Sequence, residues 1–268
     1  KEAVRRVASH LVVGSGLSRA SRHLFPKQGA IIFYGHRVSA DDEGYLQGLK
    51  PEWLDAQLAY LTHHYEIIPL TTLIRCYEDR RPVPARSAVI TFDDGFRDNF
   101  EHAFPILQRH GVTATIFLVT GSVTEGSLPW PQRLGYLFQQ TQQDELHHPF
   151  LGASPMALTD ASLRRQTSQK MKKALKPLDR HAREAVLDEL SNLLKIEPPH
   201  NRMLTWDQAR EMHAAGIVFG AHTYSHPFLA HISPDEAWWE MEKSKLDLRE
   251  HLGIEGPSFC FPAGSYSD

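Results

Sequence analysis

Five apolar runs set the strongest limit on how this chain can fold: "AIIFY" (30–34), "SAVITF" (87–92), "TATIFLV" (113–119), "GIVFGAH" (216–222) and "PSFCFP" (257–262). Each is nearly continuous rather than alternating, which suits strands covered on both faces. Helical patterns fall between them. "PEWLDAQLAYLTHHY" opens on Pro51 at a first-turn position. "TWDQAREMHAAG" and "SPDEAWWEMEKSKLDLREHLG" open on capping pairs, Thr205 with Gln208 and Ser233 with Glu236. Gly111, Gly216 and Gly253 each close a helix just ahead of a strand, where a left-handed residue belongs. Strand and helix in this rhythm predict an α/β fold, a parallel sheet with helices outside it in a barrel-like arrangement.

Residues 124–202 break the rhythm. They read as several helices inserted between two core strands, with Pro177 dividing the longer stretch. The domain proper is expected over 30–268, preceded by a helical segment at 1–29. Within the insertion, Arg164, Arg165, Lys170, Lys172, Lys173 and Lys176 read as a solvated helix face, with contact to an anionic substrate or carrier as the alternative. The formal net charge of −3 supplies no basic field for nucleic acid or an anionic membrane. Cys76 and Cys260 form no C-x-x-C pair, against a cysteine zinc site. The run Leu11–Val13 is too short for a signal h-region or a membrane span. Asp268 follows closely on the last strand, so the natural chain is expected to continue.

The chemistry is expected where strands end. "FYGH" ends in His36, "ITFDD" in Asp93 and Asp94, "FGAHTYSH" in His222 and His226, and "FCFPAG" in a Pro-x-Gly turn. In a β/α barrel the C-terminal strand ends share one face, so these remote residues should converge. His222 and His226, spaced i, i+4, suit one metal ion from one side of a helical turn. With sixteen histidines in the chain, a chance pair of surface or core histidines is the competing explanation. Asp94 would complete a His₂Asp set with room for water, the pattern of a catalytic ion. Zinc, iron(II), cobalt and manganese all accept those donors. Asp93 would then be free to take a proton from water, whereas the bland alternative makes D-D-G a turn and Asp98 the cap of the next helix. Tyr224, Trp130, Trp206, Trp238 and Trp239 are sugar-stacking candidates or packing residues, Tyr224 the best placed. His102 and His231 are expected to cap or pack; His63, His64, His147 and His148 look like surface positions.

"TFDDG", "HTYSH" and "FCFPAG" together resemble the first three motifs of the polysaccharide deacetylases, the NodB-homology or carbohydrate esterase family 4 enzymes, over about residues 30–268. The resemblance implies a distorted (β/α)7 barrel with the helical insertion as an addition. It makes Asp93 the general base and gives one divalent ion to Asp94, His222 and His226, with Zn2+ first and Fe2+, Co2+, Mn2+ or Ni2+ as alternatives. The backbone N–H of Ala263, after Pro262, becomes the oxyanion donor, and Tyr224 a substrate contact. Two features depart from the pattern. Cys260 stands near the place of an arginine that orients the base, and the usual C-terminal histidine motif has no room before Asp268. "IIFYGHRV" resembles the Y-H-x-[IV] strand of the permuted poly-N-acetylglucosamine deacetylases, in which the acid histidine comes early, although Gly35 is an extra residue there. That makes His36 the implied general acid.

The implied activity is removal of N-acetyl groups from the amino sugars of a polysaccharide or glycan, a hydrolysis at a C–N bond other than a peptide bond. The implied setting is a bacterial cell-envelope polysaccharide pathway. The alternatives are a catalytically inactive carbohydrate-binding domain and an amidohydrolase acting on a small non-sugar amide.

Overall fold

The computed structural model describes residues 29–40 and 48–264. The helical segment expected at 1–29 therefore lies outside the described residues, apart from Gly29. Five strands form one parallel sheet: β1 (Ala30–Gly35), β2 (Glu66–Ile67), β3 (Ser87–Phe92), β4 (Thr115–Leu118) and β7 (Val218–Ala221). β3 lies at its centre. β1 runs along one edge of β3 in register from Ala30 opposite Ser87 to Gly35 opposite Phe92. β2 and then β4 occupy its other edge, and β7 follows β4. Every residue of β3 is buried, as its Val–Ile–Thr–Phe run requires. β5 (Glu145–Leu146) and β6 (Met156–Ala157) form a small antiparallel pair elsewhere.

The helices α1 (Pro51–His64), α2 (Leu70–Glu78) and α3 (Phe104–Arg109) alternate with the first strands. α1 starts at Pro51 and buries Leu54, Leu58 and Leu61, one stripe at i, i+4, i+7. Burying each such leucine contributes about 1.5–3 kcal/mol. After β4 come α4 (Thr120–Glu125), α5 (Trp130–Gln140), α6 (Ala161–Leu175) and α7 (Arg180–Leu194), then α8 (Trp206–Ala214) and, after β7, α9 (Pro234–Leu252). α8 carries the full capping box of Thr205 and Gln208; α9 is capped by Ser233 and closed by left-handed Gly253. Helices α5, α6 and α7 bury Trp130, Leu134, Phe138, Met171, Leu187 and Leu190 in a core of their own, separate from the core under the sheet.

Three sequence expectations change. β1 is covered on neither face: Ile31, Ile32, Phe33 and Tyr34 are all exposed, and β1 is an edge strand among the described residues. "PSFCFP" forms no strand of its own. It touches β7 through a single bridge, Ala221 to Phe259, flanked by Ala221 N–H to the Ser258 carbonyl at 2.8 Å and Cys260 N–H to the Ala221 carbonyl at 2.9 Å. Asp98 caps no helix; its carboxylate takes Arg37 Nε at 2.6 Å and Val38 N–H at 3.2 Å in a buried ion pair that ties β1 to the segment after β3. Removing one partner of such a pair costs about 3–5 kcal/mol. No helix among the described residues is long and apolar enough to cross a membrane.

Candidate metal centre

β3 delivers Asp93 and Asp94 to the end of the sheet, where Asp93 N–H still bonds the Gly35 carbonyl of β1 at 2.9 Å. The next turn needs unusual backbone. Asp94 has φ 72° and Gly95 φ 82°, and a Cβ on Gly95 would lie 2.5 Å from Leu118 Cδ2. Asp94 is fully buried, and its Oδ1 has no hydrogen-bond partner among the described residues. That orphaned oxygen lies 3.6 Å from His222 Nε2 and 3.4 Å from His226 Nε2.

His222 Nδ1 bonds the Cys260 carbonyl at 2.7 Å. A carbonyl can only accept, so Nδ1 carries the proton and Nε2 presents a bare lone pair toward Asp94. Burial lowers the pKa of both histidines, that of His226 well below its usual 6.5, which keeps them neutral. Burial first, and the Asp93 charge second, push the Asp94 carboxyl up to about 8. Three donors aimed at one point, two of them neutral imidazoles, are what a divalent cation satisfies. A tetrahedral ion about 2.1 Å from each donor would hold them roughly 3.4 Å apart, so the residues fit the group.

The histidines reach this arrangement by a route the spacing did not suggest. Residues 222–226 are a loop rather than a helical turn, with Thr223 at φ 68° and His226 at φ 60°. Left-handed non-glycine residues cost strain that the surroundings must hold. Buried Glu240 on α9 does so, accepting Tyr224 N–H at 2.9 Å and Ser225 N–H at 2.8 Å. Trp130 Nε1 donates to the His226 carbonyl at 2.8 Å, and Gln132 Nε2 donates to Asp94 Oδ2 at 2.9 Å, both from α5 of the insertion. Gln132 and Glu240 were invisible to motif reading. The only trace of the first was its place just after Trp130–Pro131 at a helix start; the second is one of several acids on α9 and carries no mark that sets it apart.

The remaining candidates are distributed around this centre. Asp93 and His222 lie with Cys260 in one cluster whose ligand atoms are all within 4.8 Å of one another. Cys260 Sγ is 4.0 Å from Asp93 Oδ2. Burial and the two aspartates raise the thiol to about 12, so it stays protonated and gives Asp93 a long, neutral contact where the family pattern has a cation. Burial raises the Asp93 pKa, with His222 and His36 acting against it. His36 is exposed at the end of β1. Pro262 is buried, and Ala263 follows it at φ 56° in the short turn Pro262–Gly264.

The Tyr224 hydroxyl donates to Glu125 at 3.2 Å and its ring meets Trp239 edge-on. Trp130 is buried in the insertion core, and Trp206 stacks on His251. Trp238 and Trp239 remain exposed. His148, expected at the surface, is buried, and its ring accepts Phe150 N–H at 3.2 Å.

A family model for polysaccharide deacetylases matches residues 80–268, most of the chain, including Asp93, Asp94, His222 and His226. The chain belongs to the polysaccharide deacetylase family. Over 100 residues it is 35% identical to YxkH of Bacillus subtilis, a protein named for the same family, covering 37% of this chain and 34% of that one. Over 87 residues it is 28% identical to the poly-beta-1,6-N-acetyl-D-glucosamine N-deacetylase of Escherichia coli K12, covering 31% of this chain and only 13% of that protein. Two solved structures share the fold. The Streptococcus pyogenes deacetylase PplD, solved with acetate, gives a TM-score of 0.55 at 20% identity over 91% of this chain and 77% of that one. IcaB from Ammonifex degensii gives 0.56 at 18% over 90% and 77%.

Proposed function

We propose that this chain is a divalent-metal-dependent carbohydrate N-deacetylase. The observation that carries the reading is Asp94 Oδ1, unpartnered among the described residues, facing the Nε2 atoms of two buried imidazoles, with a second carboxylate, Asp93, beside them. Asp94, His222 and His226 would hold the ion, which when bound supplies Lewis acidity toward the acetamide carbonyl and toward water. Zn2+ suits the donor set best, with Fe2+, Co2+, Mn2+ and Ni2+ as alternatives.

The protein's own groups then divide the proton work. Asp93 accepts the proton of the attacking water, and its burial-raised pKa makes it a stronger base than an ordinary aspartate. The N–H of Ala263, a left-handed residue in the Pro262–Gly264 turn, donates to the developing oxyanion. His36 protonates the departing amine, so that acetate and a free amino sugar leave. The named activity of the E. coli relative favours a glycan with N-acetylglucosamine as the reacting unit.

The neutral, distant Cys260 thiol favours one competing reading, a domain that binds N-acetylated glycans without turnover. Acetate release from an N-acetylglucosamine oligomer separates the two. The metal-loaded protein should release acetate and Asp93→Asn should be at least ~100-fold slower. Equal, background-level release by both proteins would decide for the binding domain.

A further inference from the structure

The cavity beside the candidate centre has an unbalanced charge. It measures about 530 Å3, within the usual range for small-ligand sites, and meets the centre at Gln132, which lines it and also holds Asp94. His36 lies on its wall, as does Lys172 from α6 of the insertion. Among the described residues, no carboxylate lines it. Arg37 lines it too, but is neutralised by Asp98 at 2.6 Å.

Lys172 is partly buried and makes no hydrogen bond or ion pair among the described residues. The acidic group acting on it is Asp94, the carboxylate a divalent ion would neutralise. Lys176, one turn further on, sits 4.2 Å from the Phe228 ring and adds repulsion rather than relief. A half-buried ammonium with no acceptor is costly, and an anion seated beside it would offset that cost. Of the basic run noted in the sequence, Lys172 is the member that lines this cavity.

We propose that this cavity receives an anionic group of the substrate, a carboxylate or a phosphate near the N-acetyl group, with Lys172 as its counter-ion. The proposal rests on the deacetylase reading for where the N-acetyl group lies, and it names the substrate class as an acidic amino-sugar glycan. The helical insertion thereby acquires a role in specificity.

The test compares three N-acetylglucosamine oligomers: one neutral, one alternating with glucuronate, and one carrying phosphate. Acetate release is followed for metal-loaded wild type, Lys172→Gln and Lys172→Arg. Wild type should favour an acidic oligomer about tenfold or more in kcat/KM, mainly through KM and less so at high salt. Lys172→Gln should bring the ratio near one, and Lys172→Arg should keep it. Comparison of the glucuronate and phosphate oligomers tells which anion is meant.

No preference in wild type, or a preference that survives Lys172→Gln, overturns the proposal. Calorimetric binding of the same oligomers to Asp93→Asn reads the preference without turnover. A Lys172-dependent preference in binding with no acetate released from any oligomer would leave this inference standing and remove the deacetylase reading. Release from all three at equal kcat/KM would do the reverse.

Discussion

The two sides of the candidate site are built by different means. On the ion side, Asp94, His222 and His226 are buried; Glu240 and Trp130 hold the strained backbone of the 222–226 loop, and the Cys260 carbonyl fixes the His222 ring. On the acid side, His36 is exposed at the end of an edge strand, with its carbonyl tied to Asn99 Nδ2 at 3.0 Å. Burial on the ion side keeps two imidazoles neutral and leaves one carboxylate oxygen with no partner except a cation. Exposure on the acid side leaves the His36 ring open to solvent and to an entering substrate. A hydrolase needs both behaviours, and here they are separated by the depth of each side chain.

The sharpest way to break the comparison is at Asp94. Asp94→Asn removes the charge but keeps the shape, and should abolish binding of one zinc equivalent and lower acetate release by 10³-fold or more. Zinc content after dialysis, measured beside activity, checks it. Full zinc retention in the variant would mean that the ion side has been misassigned. The acid side should respond more mildly. His36→Gln is expected to lose about 10²-fold in kcat with zinc content unchanged. A variant that lost zinc as well would show that His36 belongs to the ion side.

The contrast also explains what could be read from the chain. Strand ends carrying Asp93, Asp94, His222 and His226 were legible because chemistry-bearing residues stood at the ends of apolar runs. The exposure of β1 was not, because an apolar run reports the wish to be covered rather than the neighbour that covers it. Asp98 was misread as a cap because its partner, Arg37, lies 61 residues away. The i, i+4 spacing of His222 and His226 anticipated that the two rings converge but not the backbone that does it, since two left-handed residues bring them together in place of a helical turn. Glu240 had no signal beyond its charge. Its function is set by two backbone N–H groups 15 and 16 residues earlier.

Glu240 therefore offers a finer cut within the ion side. Glu240→Gln keeps an acceptor but loses the charge that strengthens bonds to Tyr224 and Ser225 N–H. Supports of this kind typically carry 10–100-fold in metal affinity, and zinc affinity should fall by about that much while His36 chemistry is untouched. Competition against a chromophoric chelator measures it. An unchanged affinity would mean that the 222–226 loop holds its shape without α9.

The smallest effect, again within the ion side, is with pH. The Asp94 carboxyl sits at about 8 in the ion-free chain against 3.8 when unperturbed, so folding retains a proton there. Its contribution to stability is fully present below 3.8 and is lost as pH rises toward 8. His222 and His226 act in the opposite sense. Their lowered values make a contribution that is present above 6.5 and is lost as pH falls through the folded pKa. Between 6.5 and 8 the histidines release nothing, and a bound ion must displace about one proton from Asp94. Apparent zinc affinity should thus rise about tenfold per pH unit over that window and flatten above it. The zinc-induced gain in Tm should be larger at the upper end than at the lower. Calorimetry in buffers of different ionisation enthalpy counts the proton directly. A count near zero at neutral pH would mean that Asp94 is already ionised without the ion, with a cation such as Lys172 holding the charge that zinc is expected to meet.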